Sequence, residues 1–134
     1  MVRQFGIALL TLVILDGLWL GLVMKDFYRR NLAPIARMKG EALDPIWPAA
    51  ALVYPVIALG ITVFVLGRAK SPIEALAYGA LFGALTYAVY DLTNHATLRE
   101  WTTTMTVVDV LWGTVSCAAV SWIVASLSRG TGSL

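Results

Sequence analysis

Apolar residues fall in four long stretches, at 5–24, 46–66, 73–90 and 102–127, and these are 20, 21, 18 and 26 residues long. A hydrocarbon core about 30 Å thick is crossed by roughly 20 helical residues, so each stretch is long enough to span it. The pattern predicts an all-α integral membrane protein. It is a single domain over residues 1–134, with spans at about 5–24, 46–66, 72–95 and 103–127 in an up-down four-helix bundle. Residues 1–4 and 128–134 are too short to fold alone, which leaves any function to the bundle and its connections.

The polar breaks refine this outline. Residues 25–45 carry Lys25, Arg29, Arg30, Arg37 and Lys39 against Asp26, Glu41 and Asp44. Pro34 suits a first helical position, and Ile35, Met38 and Ala42 recur at helical spacing. Two readings stay open: a short interfacial helix between spans one and two, or an irregular solvated loop. Ser71-Pro72-Ile73-Glu74 has capping-box spacing with Pro at the first helical position, so span three begins there. Gly17 and Gly21 on span one, and Ala75, Gly79 and Gly83 on span three, form small-residue stripes that admit a close helix, within the bundle or in a homodimer through Gly79 and Gly83. Pro55 lies within span two, where it frees the Ala51 carbonyl and makes a packed kink the expectation.

Composition agrees with this class: 59% of residues are hydrophobic and 13% charged, with a mean hydropathy of +0.77. Soluble domains run about 45–50% apolar and about 25% charged. The net charge of +2 sits on loop Lys and Arg, which implies membrane flanks and lipids as partners rather than nucleic acid. Arg3 followed by an apolar run imitates a signal peptide, but Asp16 interrupts the run and no small-x-small site closes it, so a retained helix is expected. Cys117, the one cysteine, lies inside an apolar run and reads as packing material. No motif calls for a cofactor. One His and scattered carboxyls lack the His pair or His/Cys set of a transition-metal site, so no metal is expected.

The chemistry has to come from polar groups where lipid disfavours them. With four spans, the 25–45 and 95–102 connections share one membrane face, here called face A. Asp16, Asp91 and Asp109 lie eight to ten residues from Lys25 or Arg99, which is roughly 12–15 Å inside that face at 1.5 Å per residue. Inserting each as a carboxylate costs on the order of 2.5–3.5 kcal/mol, so they should face the bundle interior and find partners. Asn94 and His95 are i+3 and i+4 from Asp91, below Tyr87. The pattern Asp-x-Leu-Trp occurs twice, as Asp16, Leu18, Trp19 and Asp109, Leu111, Trp112, and each indole N–H is placed to meet a carboxylate on its own or a neighbouring helix. The candidate ligand-binding set is Asp16, Trp19, Tyr87, Tyr90, Asp91, Asn94, His95, Asp109 and Trp112. The plain alternative is that the acids staple helices through Thr93, Thr106, Ser116, Tyr54 or the indoles. His95 equally fits a helix-end cap or an interfacial position, and Trp47, Trp101 and Tyr28 fit an aromatic belt.

The segment from Tyr90-Asp91-Leu92-Thr93-Asn94-His95 to Trp101, with Asp16-Gly17-Leu18-Trp19-Leu20-Gly21 and Phe27-Tyr28, resembles a bacterial family of small four-helix membrane proteins, domain of unknown function 2177. The resemblance spans nearly the whole chain. It implies a multi-pass protein of the bacterial inner membrane and carries no reaction with it.

Three activities fit these residues. In an intramembrane enzyme acting on lipids, Asp91 and His95 would do acid/base work. A proton-linked exporter of lipophilic cations would need a dimer on the Gly79 and Gly83 stripe, and a scaffold would need neither. Face A carries six basic residues (Lys25, Arg29, Arg30, Arg37, Lys39, Arg99) against four on the other side (Arg3, Arg68, Lys70, Arg129), an excess that leans toward face A being cytoplasmic and both termini outside.

Overall fold

The computed structural model describes residues 1–130. Helix α1 (Val2–Leu18) runs on as a π-helical turn, Trp19–Val23, and α2 (Lys25–Leu32) follows at once. A two-stranded hairpin, β1 (Met38–Lys39) and β2 (Ala42–Leu43), leads to α3 (Trp47–Gly60), which also ends in a π-helical stretch, Ile61–Leu66. Helices α4 (Pro72–Thr97) and α5 (Thr103–Arg129) complete the described part of the chain. Four helical segments, Val2–Val23, Trp47–Leu66, Pro72–Thr97 and Thr103–Arg129, are long and apolar enough to cross a membrane, so the protein is an all-α membrane protein.

Local chemistry explains where the helices start. The Glu74 N–H donates to Ser71 Oγ at 3.1 Å, and the Glu74 carboxylate accepts the Lys70 N–H at 2.8 Å. The capping box is therefore present, with its return bond one residue earlier than the ideal. Thr102 caps α5 by accepting the Met105 N–H at 3.1 Å. The short helix of the first connection exists, but it lies before Pro34 rather than after it. Pro34 has no N–H to continue α2, whose dipole is matched by Asp26 in the first turn and by Arg29 and Arg30 in the last. Gly40, at φ 62°, then folds the chain back so that Met38 faces Leu43 across the hairpin, leaving no helical stripe there.

Helices α4 and α5 pack most closely. A Cβ on Gly79 would lie 2.4 Å from Ser121 Oγ and 2.6 Å from the Cys117 carbonyl oxygen, and one on Gly83 would lie 2.0 Å from the Gly113 carbonyl oxygen. The Gly79 and Gly83 stripe is thus filled by the chain's own α5, the within-bundle packing of the two expected for it. Gly17 and Gly21 pack against nothing: a Cβ on either meets no atom within 4 Å. Helix α3 continues through Pro55.

Helix α1 contacts α3 and α5, whereas the second span reaches α4 through its Ile61–Leu66 end. One apolar cluster, built on Leu12, Ile61, Cys117, Val120 and Val124, fills the half of the bundle away from face A. A smaller one at face A joins Tyr28, Trp101 and Met105. The three intramembrane acids sit between these clusters: Asp16 is one turn beyond Leu12 and Asp109 one turn beyond Met105.

Candidate functional site

The two Asp-x-Leu-Trp segments meet across the bundle. The rings of Trp19 and Trp112 stack with centroids 4.3 Å apart and planes 3° from parallel. Each indole serves the carboxyl of the other segment. Trp112 Nε1 donates to Asp16 Oδ1 at 2.7 Å, while Trp19 Nε1 donates at 3.1 Å to the Tyr28 hydroxyl, which in turn donates to Asp109 Oδ1. The Tyr54 hydroxyl lies beside Asp16 as well. Helices α1, α2, α3 and α5 are tied together through these acceptors.

Asp91 is different. It is 0% exposed, and neither carboxyl oxygen has a hydrogen-bond partner. Its neighbour is Asp109, close enough for the two carboxyls to interact directly. Two carboxylates can only accept, so such a pair is joined by a shared proton, a cation or a donating ligand. The side chains acting on Asp16, Asp91 and Asp109 are aromatic or acidic, and among the described residues no basic group does so. Burial and the bond to Asp109 push the Tyr28 phenol above its ordinary pKa of 10.0, so it is held as a hydrogen-bond donor.

The other expected members divide between this cluster and its surroundings. His95 is exposed, and its Nδ1 is 3.3 Å from the Trp101 carbonyl oxygen at the turn into α5. It does not pair with Asp91, which corrects the acid/base pair; i,i+4 spacing shares a face, but the turn's carbonyl takes the ring. Asn94 lies beside the Tyr90 hydroxyl. Tyr90 is half exposed, and its ring meets Trp101 edge-on at 5.8 Å. Tyr87 packs over Gly113, where a Cβ would lie 2.2 Å from its ring. Of the expected staple partners, Tyr54 and Trp112 meet Asp16, while three others bond elsewhere: Thr93 to the Val89 carbonyl at 2.6 Å, Ser116 to that of Gly113 at 3.4 Å, and Thr106 to Trp101 Nε1 at 3.1 Å. Tyr28 and Trp101, expected in the aromatic belt, are each only 6% exposed and serve the interior, while Trp47 is 68% exposed. Among the described residues no His/Cys/Asp/Glu group has the makings of a metal site.

Three cavities adjoin here. An inner one of about 220 Å³ is lined by Asp16, Tyr28, Tyr87, Tyr90, Asp109 and Trp112, among others. A groove of about 560 Å³ shares Tyr87, Tyr90 and Asp109 with it, and its other wall is the apolar stripe Ala49, Leu52, Val53, Val56 and Ile57 of α3. A face-A vestibule of about 710 Å³ shares Leu20, Tyr28 and Leu32 with the inner cavity. Asp109 thus stands where a lipid-side groove meets the interior, and Tyr28 where the interior meets face A.

No curated relative and no solved structure matches the chain. The family described as predicted membrane protein (DUF2177) matches residues 1–126, a stretch that takes in all but the last three residues of the four helices long and apolar enough to cross a membrane, and the chain belongs to it.

Proposed function

We propose that this protein is a bacterial inner-membrane receptor or carrier for an amphiphile with a cationic, hydrogen-bond-donating head group. The head group sits at Asp109 and Asp91, with Asp16 nearby, and the apolar tail lies along the α3 stripe. The observation that carries this reading is Asp91, which is fully buried, accepts no hydrogen bond and lies beside Asp109, itself a wall of both groove and inner cavity. Acids without a counter-charge in a low-dielectric layer favour a cation that brings its own donors. Adjoining cavities favour passage, and acid/base work by an Asp91 and His95 pair lacks support because the His95 ring meets the Trp101 carbonyl. The staple reading has support at Asp16 and Asp109, whose bonds join helices; at Asp91 it requires a proton shared with Asp109.

The test uses the full-length protein in lipid nanodiscs, titrated with dodecylamine and with dodecanol, which has the same tail and no charge. Fluorescence of the Trp19–Trp112 stack reports binding. The amine should bind at least about tenfold more tightly, a difference of about 1.4 kcal/mol, and Asp109→Asn should remove the preference. Equal affinity for amine and alcohol in the wild type overturns the proposal.

A further inference from the structure

We infer that the face-A vestibule is a binding site for one anionic phospholipid, separate from the acid cluster and independent of the function proposed for it. Its basic residues come from three places in the chain: Lys25 opens α2, Arg29 lies on the next turn, and Lys39 lies on the hairpin. Arg29 is paired with Asp26 at 3.3 Å, whereas Lys25 and Lys39 have no ion-pair partner among the described residues. Glu41 is the one acid among the lining residues, which leaves the cavity net positive. The rest of the wall is largely apolar, with Leu20, Leu32, Leu43 and Trp47.

This combination selects a particular occupant. A cavity with unpaired ammonium groups attracts a phosphate, whether free or carried on a lipid. Free phosphate gains nothing from apolar walls, while a phospholipid buries the start of its chains against them. Gly21 adds room for a chain, because nothing lies within 4 Å of where its Cβ would be. The hairpin, turned at Gly40 with φ 62°, is what brings Lys39 to the same cavity as Lys25.

Full-length protein is reconstituted in phosphatidylcholine vesicles in which brominated phosphatidylglycerol or, in a parallel series, brominated phosphatidylcholine replaces the unbrominated lipid stepwise, and quenching of Trp47 is followed by comparing wild type with Trp47→Phe. Brominated phosphatidylglycerol should be preferred about fivefold to tenfold, as expected for two or three partly screened charges. The Lys25→Gln/Lys39→Gln double variant should lower that preference to about onefold. The Arg30→Gln/Arg37→Gln double variant removes the same net charge from the same face, yet neither residue lines the vestibule, so its preference should stay at the wild-type value. A loss of preference in both double variants, or in neither, overturns the site, and so does a wild type without preference. Millimolar glycerol phosphate should not restore fluorescence; full restoration overturns the lipid assignment in favour of a free phosphate. Asp109→Asn should leave the phosphatidylglycerol preference intact, so failure at the acid cluster and failure here are told apart.

Discussion

Tyr28 joins the two Asp-x-Leu-Trp segments by accepting from Trp19 and donating to Asp109. Tyr28→Phe keeps the ring but removes both bonds, which leaves Asp109 and the Trp19 N–H unpaired. The expected loss is about 1–3 kcal/mol of stability, read as a lower melting temperature in detergent. The phenol's pKa is raised in the folded protein, so its contribution is complete below the ordinary value of 10.0 and is lost as pH climbs through the raised value. The melting temperature of the wild type should therefore fall more steeply above about pH 10 than that of Tyr28→Phe. A scan showing parallel curves counts against the bond. Asp91 should behave oppositely. Because it accepts no hydrogen bond, Asp91→Asn loses none, so the melting temperature should hold or rise while the preference for dodecylamine declines. A destabilised Asp91→Asn with full amine preference would restore the staple reading for that residue.

At the scale of helices, identical small-residue spacing has opposite consequences on α1 and α4. Gly83→Ala drives a methyl into the Gly113 carbonyl of α5, backbone that cannot rotate away, and should cost about 1–3 kcal/mol. Gly17→Ala and Gly21→Ala face open space and should gain up to about 1 kcal/mol from helix propensity. Melting temperatures of the three variants decide this, and equal shifts would contradict the packing. The contrast also marks what the sequence can reveal. Span positions are legible because hydropathy sums over about 20 residues, and the Ser71–Glu74 cap is legible because its bonds are local. Which face of an apolar helix turns inward is not, since apolar residues surround it on all sides. Gly17 and Gly83 therefore look alike in the sequence. The three acids and both indoles are legible as polar groups that lipid disfavours. Tyr28 is missed because an aromatic residue in a basic connection resembles a belt residue, and only the fold-back of α2 after the π-helical turn takes it under the bundle. His95 is over-read for the complementary reason: spacing alone cannot reveal that the Trp101 carbonyl claims its ring.

For the whole molecule, charge should set the direction in which the cavities open. The vestibule lies at face A, among Lys25, Arg29 and Lys39, and Arg30, Arg37 and Arg99 belong to the same side. Arg3, Arg68, Lys70 and Arg129 lie at the opposite ends of the spans. Basic residues near span ends are retained in the cytoplasm, so the vestibule should open there, toward the leaflet surface that attracts anionic lipid phosphates to basic clusters. Single cysteines can read the direction once Cys117 is replaced by Ala, a change confined to one small buried side chain. Ala33→Cys, at the exposed end of α2, should resist a membrane-impermeant maleimide in intact spheroplasts and react after lysis. Gly130→Cys, exposed beyond α5, should react in both. Reversed labelling would put the vestibule on the outer side, and the phospholipid it holds would then have to come from the outer leaflet. Labelling of half of each population would mean that the six-to-four difference in basic residues is too small to fix one orientation, leaving the inner cavity approachable through Tyr28 from both sides of the membrane.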